Sequence, residues 1–231
     1  MSSLLSRPLL LGHRGAPHQF RENTLPGFQA ALDAGLDGVE IDVRRLADGT
    51  LVLHHDPHLK DGRRLRDLRR SEIPEWLPTV PEFLAWMADT DAYVNIEFKW
   101  EREVWRPDDR VHRTLDMVRG LGLGKRVITS SFNPLYVQAS RQAAPEIERG
   151  FLFEHSFSPA VLKGLMNWTG SVALHPRHTL IDAELMALAR RHGWRVNTWT
   201  VNDADEVQRL TALGVDALIG NIPEVLLTAA G

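Results

Sequence analysis

The stretch from Tyr93 to Phe153 sets the fold. Tyr93-Val94-Asn95-Ile96-Glu97-Phe98, Val127-Ile128-Thr129-Ser130-Ser131 and Glu148-Arg149-Gly150-Phe151-Leu152-Phe153 are short runs rich in apolar residues. Between them lie two longer amphipathic segments, Arg110–Leu121, closed near Gly122, and Pro134–Gln142. The order predicted is strand, helix, strand, helix, strand. A helix between two strands returns the chain to the same end of the sheet, so strands joined in this way pair in parallel.

The alternation continues in both directions. Upstream, Leu9–Leu11 is a strand, Thr24–Ala34 a helix that ends at Gly35, and Gly38–Arg44 the second strand. Leu51–Leu53 follows across the turn signal Asp48-Gly49 as a hairpin extension. Residues Pro57 to Thr79 are charged, contain prolines and show weak periodicity, as expected of a surface excursion rather than a second core; Val80–Ala88 then resumes as a helix. Downstream, Ser171–Leu174, Arg195–Thr200 and Ala217–Ile219 are strands. The helices there are Pro159–Met166, Ala183–Arg191, Asp203–Leu213 and Glu224–Ala229. Without the hairpin arm, eight strands remain, each followed by a helical stretch. Eight such units close an α/β (β/α)8 TIM barrel, here one domain over residues 1–231 with a small insertion, 57–79, after the second strand. An open doubly wound sheet is the rival architecture, but no glycine-rich nucleotide fingerprint follows the first strand.

Composition narrows the chemistry. There are no cysteines, which excludes disulfides, thiolate metal sites and cysteine nucleophiles, so any metal is held by oxygen or imidazole. With 27 basic against 30 acidic side chains the chain lacks the basic surplus of a non-specific nucleic-acid binder. Met1 to Arg7 is short and polar, and no apolar run is long enough to span a bilayer. A soluble, cytoplasmic protein without stable membrane insertion is expected.

Polar groups concentrate at the carboxyl ends of the strands, where barrel enzymes keep their chemistry. Glu40 and Asp42 are two apart on a strand and share one face. If that face lines the barrel, two anions sit close together and need a cation. Glu97 arrives from the next barrel strand at a similar height, giving a hard-oxygen set suited to Mg2+ or Ca2+. Pairing of the acids with Arg14 and Lys99 is an equal reading of the same spacing. His13 and His55 each follow an apolar strand and suit proton exchange near neutral pH. His54 and His55 alternate, so one faces inward and the other away. Arg14 and Lys99 are candidate phosphate contacts, and charge balance for the acids is compatible with that role. His18, His58, His112, His178 and His192 fall in loops or on helix surfaces and receive no role.

In order, His13-Arg14-Gly15, Glu22-Asn23-Thr24, Glu40-Ile41-Asp42, His55-Asp56, Glu97-Phe98-Lys99, Ser131-Phe132 and Trp199-Thr200-Val201-Asn202 resemble the glycerophosphodiester phosphodiesterase family across nearly the whole chain. The resemblance implies a divalent ion held by Glu40, Asp42 and Glu97, with His13 and His55 as the acid/base pair. It also implies Arg14 and Lys99 on the phosphate, Trp199 as a pocket wall, and Glu22 near the metal. Its substrates would be small soluble glycerophosphodiesters, cut to sn-glycerol 3-phosphate and an alcohol. One departure is Ile219-Gly220-Asn221-Ile222-Pro223, where family members often carry an Asp in place of Asn221; an altered local hydrogen bond is expected, and Asn221 is given no role.

Two rivals accompany this reading. A phospholipase D-like or lysophospholipid phosphodiesterase would need an apolar rim, to which Trp76, Trp86, Trp100, Trp105 and Trp168 could contribute, particularly Phe98–Trp105. A non-catalytic barrel binding a phosphorylated ligand would be free to lose an acid or a histidine, and this sequence keeps them all. The sequence leaves open which histidine is the base, whether water or the glycerol hydroxyl attacks, which metal is used, and the oligomeric state.

Overall fold

The computed structural model describes residues 7–101 and 106–230. Its strands are β1 (Leu9–His13), β2 (Gly38–Arg45), β3 (Leu51–Leu53), β4 (Tyr93–Phe98), β5 (Val127–Ser131), β6 (Glu148–Phe153), β7 (Ala173–Pro176), β8 (Arg195–Thr198) and β9 (Ala217–Gly220). The helices are α1 (Leu25–Asp33), α2 (Val80–Ala88), α3 (Arg110–Gly120), α4 (Pro134–Ala143), α5 (Pro159–Thr169), α6 (Ala183–His192), α7 (Ala204–Leu213) and α8 (Pro223–Ala230). Met1 to Ser6 and Trp105 lie outside the described residues.

The strand order is β1-β9-β8-β7-β6-β5-β4-β2-β3, and a further β1–β2 pairing closes the ring. Every pairing around that ring is parallel, while β3 adds antiparallel to β2 outside it. The molecule is therefore a (β/α)8 barrel with a hairpin arm. Helices pack on the outside through residues such as Phe28, Phe83, Val111, Tyr136, Met166 and Val207, which form one continuous core with the outward faces of the strands. Short local devices fix the helix ends. Asp182 and Asp203 accept hydrogen bonds from the backbone N–H groups of Leu185 and Glu206, capping α6 and α7.

Two expectations need correction. The sixth barrel strand, β7, is Ala173–Pro176 rather than Ser171–Leu174, because Ser171 is engaged by the side chain of Thr169 at the end of α5. The 57–79 segment does have a core of its own: Leu59, Leu65, Leu68, Ile73 and Leu77 bury together with Leu46 and Val52. Leu65 lies on a 3-10 turn, Leu68 and Ile73 directly follow such turns, and Leu59 and Leu77 lie in irregular backbone, so their spacing gives no helical or strand period to read.

The barrel interior is polar. Asn95 donates to Ser130 Oγ at 3.1 Å, and Asn197 Nδ2 lies 3.0 Å from Nε2 of the fully buried His175. Gly150 makes room for that imidazole, since a Cβ there would come within 2.3 Å of the ring.

Candidate active site

Register brings the site together. In the β1–β2 ladder His13 sits level with Glu40, and in the β2–β4 ladder Asp42 sits level with Glu97. One oxygen from each of Glu40, Asp42 and Glu97 lies within 4.8 Å of the others, and all three residues are buried.

Such a cluster strains its own ionisation. Burial, reinforced by the charges of Asp42 and Glu97, pushes the Glu40 carboxyl well above the usual range. Burial also acts to raise Asp42, but Lys99 and Arg14 outweigh it and hold that carboxyl below its ordinary value. Lys99 Nζ lies 2.7 Å from Glu97 and 3.4 Å from Asp42, and Arg14 Nε lies 3.3 Å from Asp42. Both cations are thus engaged with the acids while remaining in the cavity lining. Two buried oxygens, Glu40 Oε1 and Asp42 Oδ1, have no hydrogen-bond partner among the described residues. Carboxylate oxygens that accept no hydrogen bond, Glu40 Oε1 and, with only the Lys99 ion pair at 3.4 Å, Asp42 Oδ1, belong to an all-oxygen set that fits a hard divalent cation such as Mg2+ or Ca2+.

The two histidines are held alike. His13 Nδ1 lies 2.7 Å from Asn221 Oδ1, and His55 Nδ1 lies 2.7 Å from Asp56 Oδ1. With each Nδ1 proton donated to its oxygen, Nε2 is the remaining ring nitrogen in both. His13 Nε2 lies 3.9 Å from Glu40. Burial, with Arg14 second, pushes the His13 pKa down to about 4, so the ring is neutral at pH 7. Burial, followed by Lys99, also lowers His55. His55 lines the cavity, whereas His54 turns back to the Asp56 carbonyl, as strand alternation requires.

These groups open into a cavity of about 440 Å³ at the carboxyl ends of the strands. Its lining includes His13, Arg14, Glu40, His55, Glu97 and Lys99 on one side, with Trp100, Phe132, Glu154 and Trp199 among the rest. Trp199 is fixed as a wall: its Nε1 donates to the His175 carbonyl at 3.0 Å and its ring meets Phe132 edge-on at 5.4 Å. Glu22 does not join the triad. It pairs with Arg14 Nη1 at 2.9 Å and so steadies that guanidinium.

Three contributors escaped the sequence reading. Asn221 orients His13, and its own backbone N–H is held by Asn202 Oδ1 at 2.7 Å. Asn23, whose φ of 56° is in the left-handed region, donates from Nδ2 to Asp42 at 2.8 Å and accepts from the Asp42 backbone N–H. Arg44 anchors the backbone of His55. Asn23 and Asn202 stood inside recognised motifs and Asn221 at the departure from the family pattern, each without an assigned role; Arg44 offered no signal.

Among the described residues the tryptophans have separate settings. Trp86 packs on Phe28 and Phe83, Trp76 is covered by the Arg21 guanidinium at 3.8 Å, and Trp100 lines the cavity. Among the described residues no helix is long and apolar enough to cross a membrane.

Residues 13–225 match the glycerophosphoryl diester phosphodiesterase family. The chain is 27% identical to a glycerophosphodiester phosphodiesterase of Caldanaerobacter subterraneus subsp. tengcongensis, over 96% of this chain and 97% of that one. Among solved structures, a glycerophosphodiester phosphodiesterase from Thermotoga maritima is 26% identical with a TM-score of 0.77, covering 97% of this chain and 98% of its own. An Oleispira antarctica phosphodiesterase, solved in complex with the product sn-glycerol-3-phosphate, superposes with a TM-score of 0.85 at 22% identity, with 96% of each chain covered.

Proposed function

The chain belongs to the glycerophosphoryl diester phosphodiesterase family, and from that premise we propose that it hydrolyses glycerophosphodiesters to sn-glycerol 3-phosphate and an alcohol. Glu40, Asp42 and Glu97 hold one divalent cation, Mg2+ or Ca2+, and His13 and His55 exchange the protons. The observation that carries this reading is the meeting of three buried carboxylates, two with an oxygen that accepts no hydrogen bond, beside a His13 ring nitrogen that has no competing proton. The bound cation supplies Lewis-acid stabilisation of negative charge on the phosphoryl oxygens.

The chain's own groups do the rest. Arg14 presents a forked donor to the phosphodiester oxygens, already aligned by Glu22 and Asp42, so little reorganisation is needed when charge develops. Lys99 adds a point charge from the end of β4. One histidine takes the proton of the attacking oxygen, that of water or of the neighbouring glycerol hydroxyl, and the other delivers one to the departing alcohol oxygen; where the glycerol hydroxyl attacks, water then opens the cyclic phosphate to sn-glycerol 3-phosphate. Asn221 and Asp56 keep Nδ1 occupied, which leaves Nε2 of each ring to do this work. Trp199 limits where the substrate can lie.

Phosphorus NMR of sn-glycero-3-phosphocholine incubated with the protein and Mg2+ or Ca2+ tests the proposal. The expected result is conversion to sn-glycerol 3-phosphate, abolished by EDTA. Replacing either histidine in His13→Ala or His55→Ala should slow it by about 100-fold or more. Wild-type rates in both variants, or full turnover in chelator, would refute it.

A further inference from the structure

We propose that the side of the cavity opposite His13 selects diesters whose departing alcohol carries a positive charge, with Glu154 as the specificity-determining residue. The proposal rests on the phosphodiesterase reading above. Around the closed ring, β6 stands four strands from β1 in either direction. Glu154 is the first residue after β6, so it lies across the mouth from His13 and Arg14 at the end of β1. Both sides line the same cavity.

The two sides differ in chemistry. Glu40 and Glu97, the other acids of the lining, are buried with Asp42 and compensated by Arg14 and Lys99. Glu154 has no such held partner. Among the described residues its ion-pair neighbour is the His155 ring at 3.8 Å, and that ring is 87% exposed. The Glu154 side chain is itself half exposed, which leaves its charge available to an entering group.

Two aromatic rings line the cavity with it. Phe132 follows β5 and Trp199 follows β8, and they meet edge-on at 86°. The hydrogen bond from Trp199 Nε1 to the His175 carbonyl holds its ring in place, so the wall is built before substrate arrives. Aromatic faces beside a carboxylate attract an organic ammonium: the rings take its alkyl surface and positive charge, and the anion completes the compensation. A phosphodiester anchored at the Arg14 and Lys99 side would then direct an aminoalcohol headgroup, quaternary or primary, toward Glu154.

The test compares kcat/KM for sn-glycero-3-phosphocholine and for the uncharged-headgroup diester glycerophosphoglycerol in wild type, Glu154→Gln and Glu154→Lys. The ratio of the two within each protein cancels changes in fold or total activity. We expect wild type to favour the choline diester by about tenfold, Gln to reduce that ratio to about two, and Lys to reverse it. A ratio unaltered in Gln and Lys overturns the inference while leaving the phosphodiesterase reading standing. Cleavage of neither diester by wild type overturns that reading, and this inference with it.

Discussion

The guanidinium of Arg44 donates from Nε to the backbone carbonyl oxygen of His55 at 2.9 Å, and its Nη2 donates to the same oxygen. Arg44 is buried on β2, two residues beyond Asp42, and its other side faces Glu101, with Nη1 and Oε1 3.6 Å apart. The loop that carries His55 is thereby tied to the strand that carries the acids, so the histidine keeps its distance from them. Arg44→Ala should lower kcat by about tenfold with a smaller change in KM, the signature of a misplaced reacting group rather than lost substrate binding. Arg44→Gln, which can still donate to the carbonyl, should recover part of the loss. Steady-state kinetics beside a thermal melt check this; an unchanged kcat in Arg44→Ala would remove the tether from the mechanism.

Asn221 is expected to matter through His13. With its Oδ1 accepting from Nδ1, it fixes both the tautomer and the orientation of the ring. Asn221→Ala should cost about tenfold or more in kcat. Asn221→Asp preserves the acceptor and adds a negative charge beside the ring. That charge favours the imidazolium, so the His13 pKa should rise from its value of about 4. Titration of the imidazole by NMR in wild type and Asn221→Asp measures the shift directly.

His175 gives the fold an acid sensitivity separate from catalysis. Burial, and then the charge of Arg195, push its pKa down from 6.5 to about 3. The unfolded chain therefore takes up a proton that the folded one refuses, and stability rises with pH across that interval. Its contribution is fully present above about 6.5 and is lost progressively as pH falls toward 3, in total roughly 3–5 kcal/mol. His13 has the same sign over a narrower range. Calorimetric melts of wild type and His175→Gln between pH 7 and pH 4, about the range of interest, should show a shallower dependence of Tm on pH in the variant.

Much of this was readable from the chain. The eight strands could be placed because each is a short apolar run beside an amphipathic helix, a purely local signal. The acids could be placed because alternation puts Glu40 and Asp42 on one face and the parallel order brings Glu97 beside them. What escaped depends on contacts distant in sequence or on backbone acceptors. Asn221 reaches His13 only because β9 pairs with β1 when the barrel closes. Arg44 acts on a carbonyl, which no residue type announces. The 57–79 core is built from apolar residues scattered over loops and the edges of short 3-10 turns, where spacing carries no period. His175 directly follows the strand read as Ser171–Leu174, but its burial against Gly150 follows from ring closure.

Titration of Mg2+ or Ca2+ into wild type and Asp42→Asn, followed by isothermal calorimetry, reads out the acidic triad as a metal site. Asp42→Asn removes one charged oxygen donor and keeps the side-chain shape. Saturable binding of about one ion per chain is expected in wild type, with its loss, or a fall of at least about tenfold in affinity, in the variant. Equal binding in the two proteins, or no saturable binding in wild type, would contradict it.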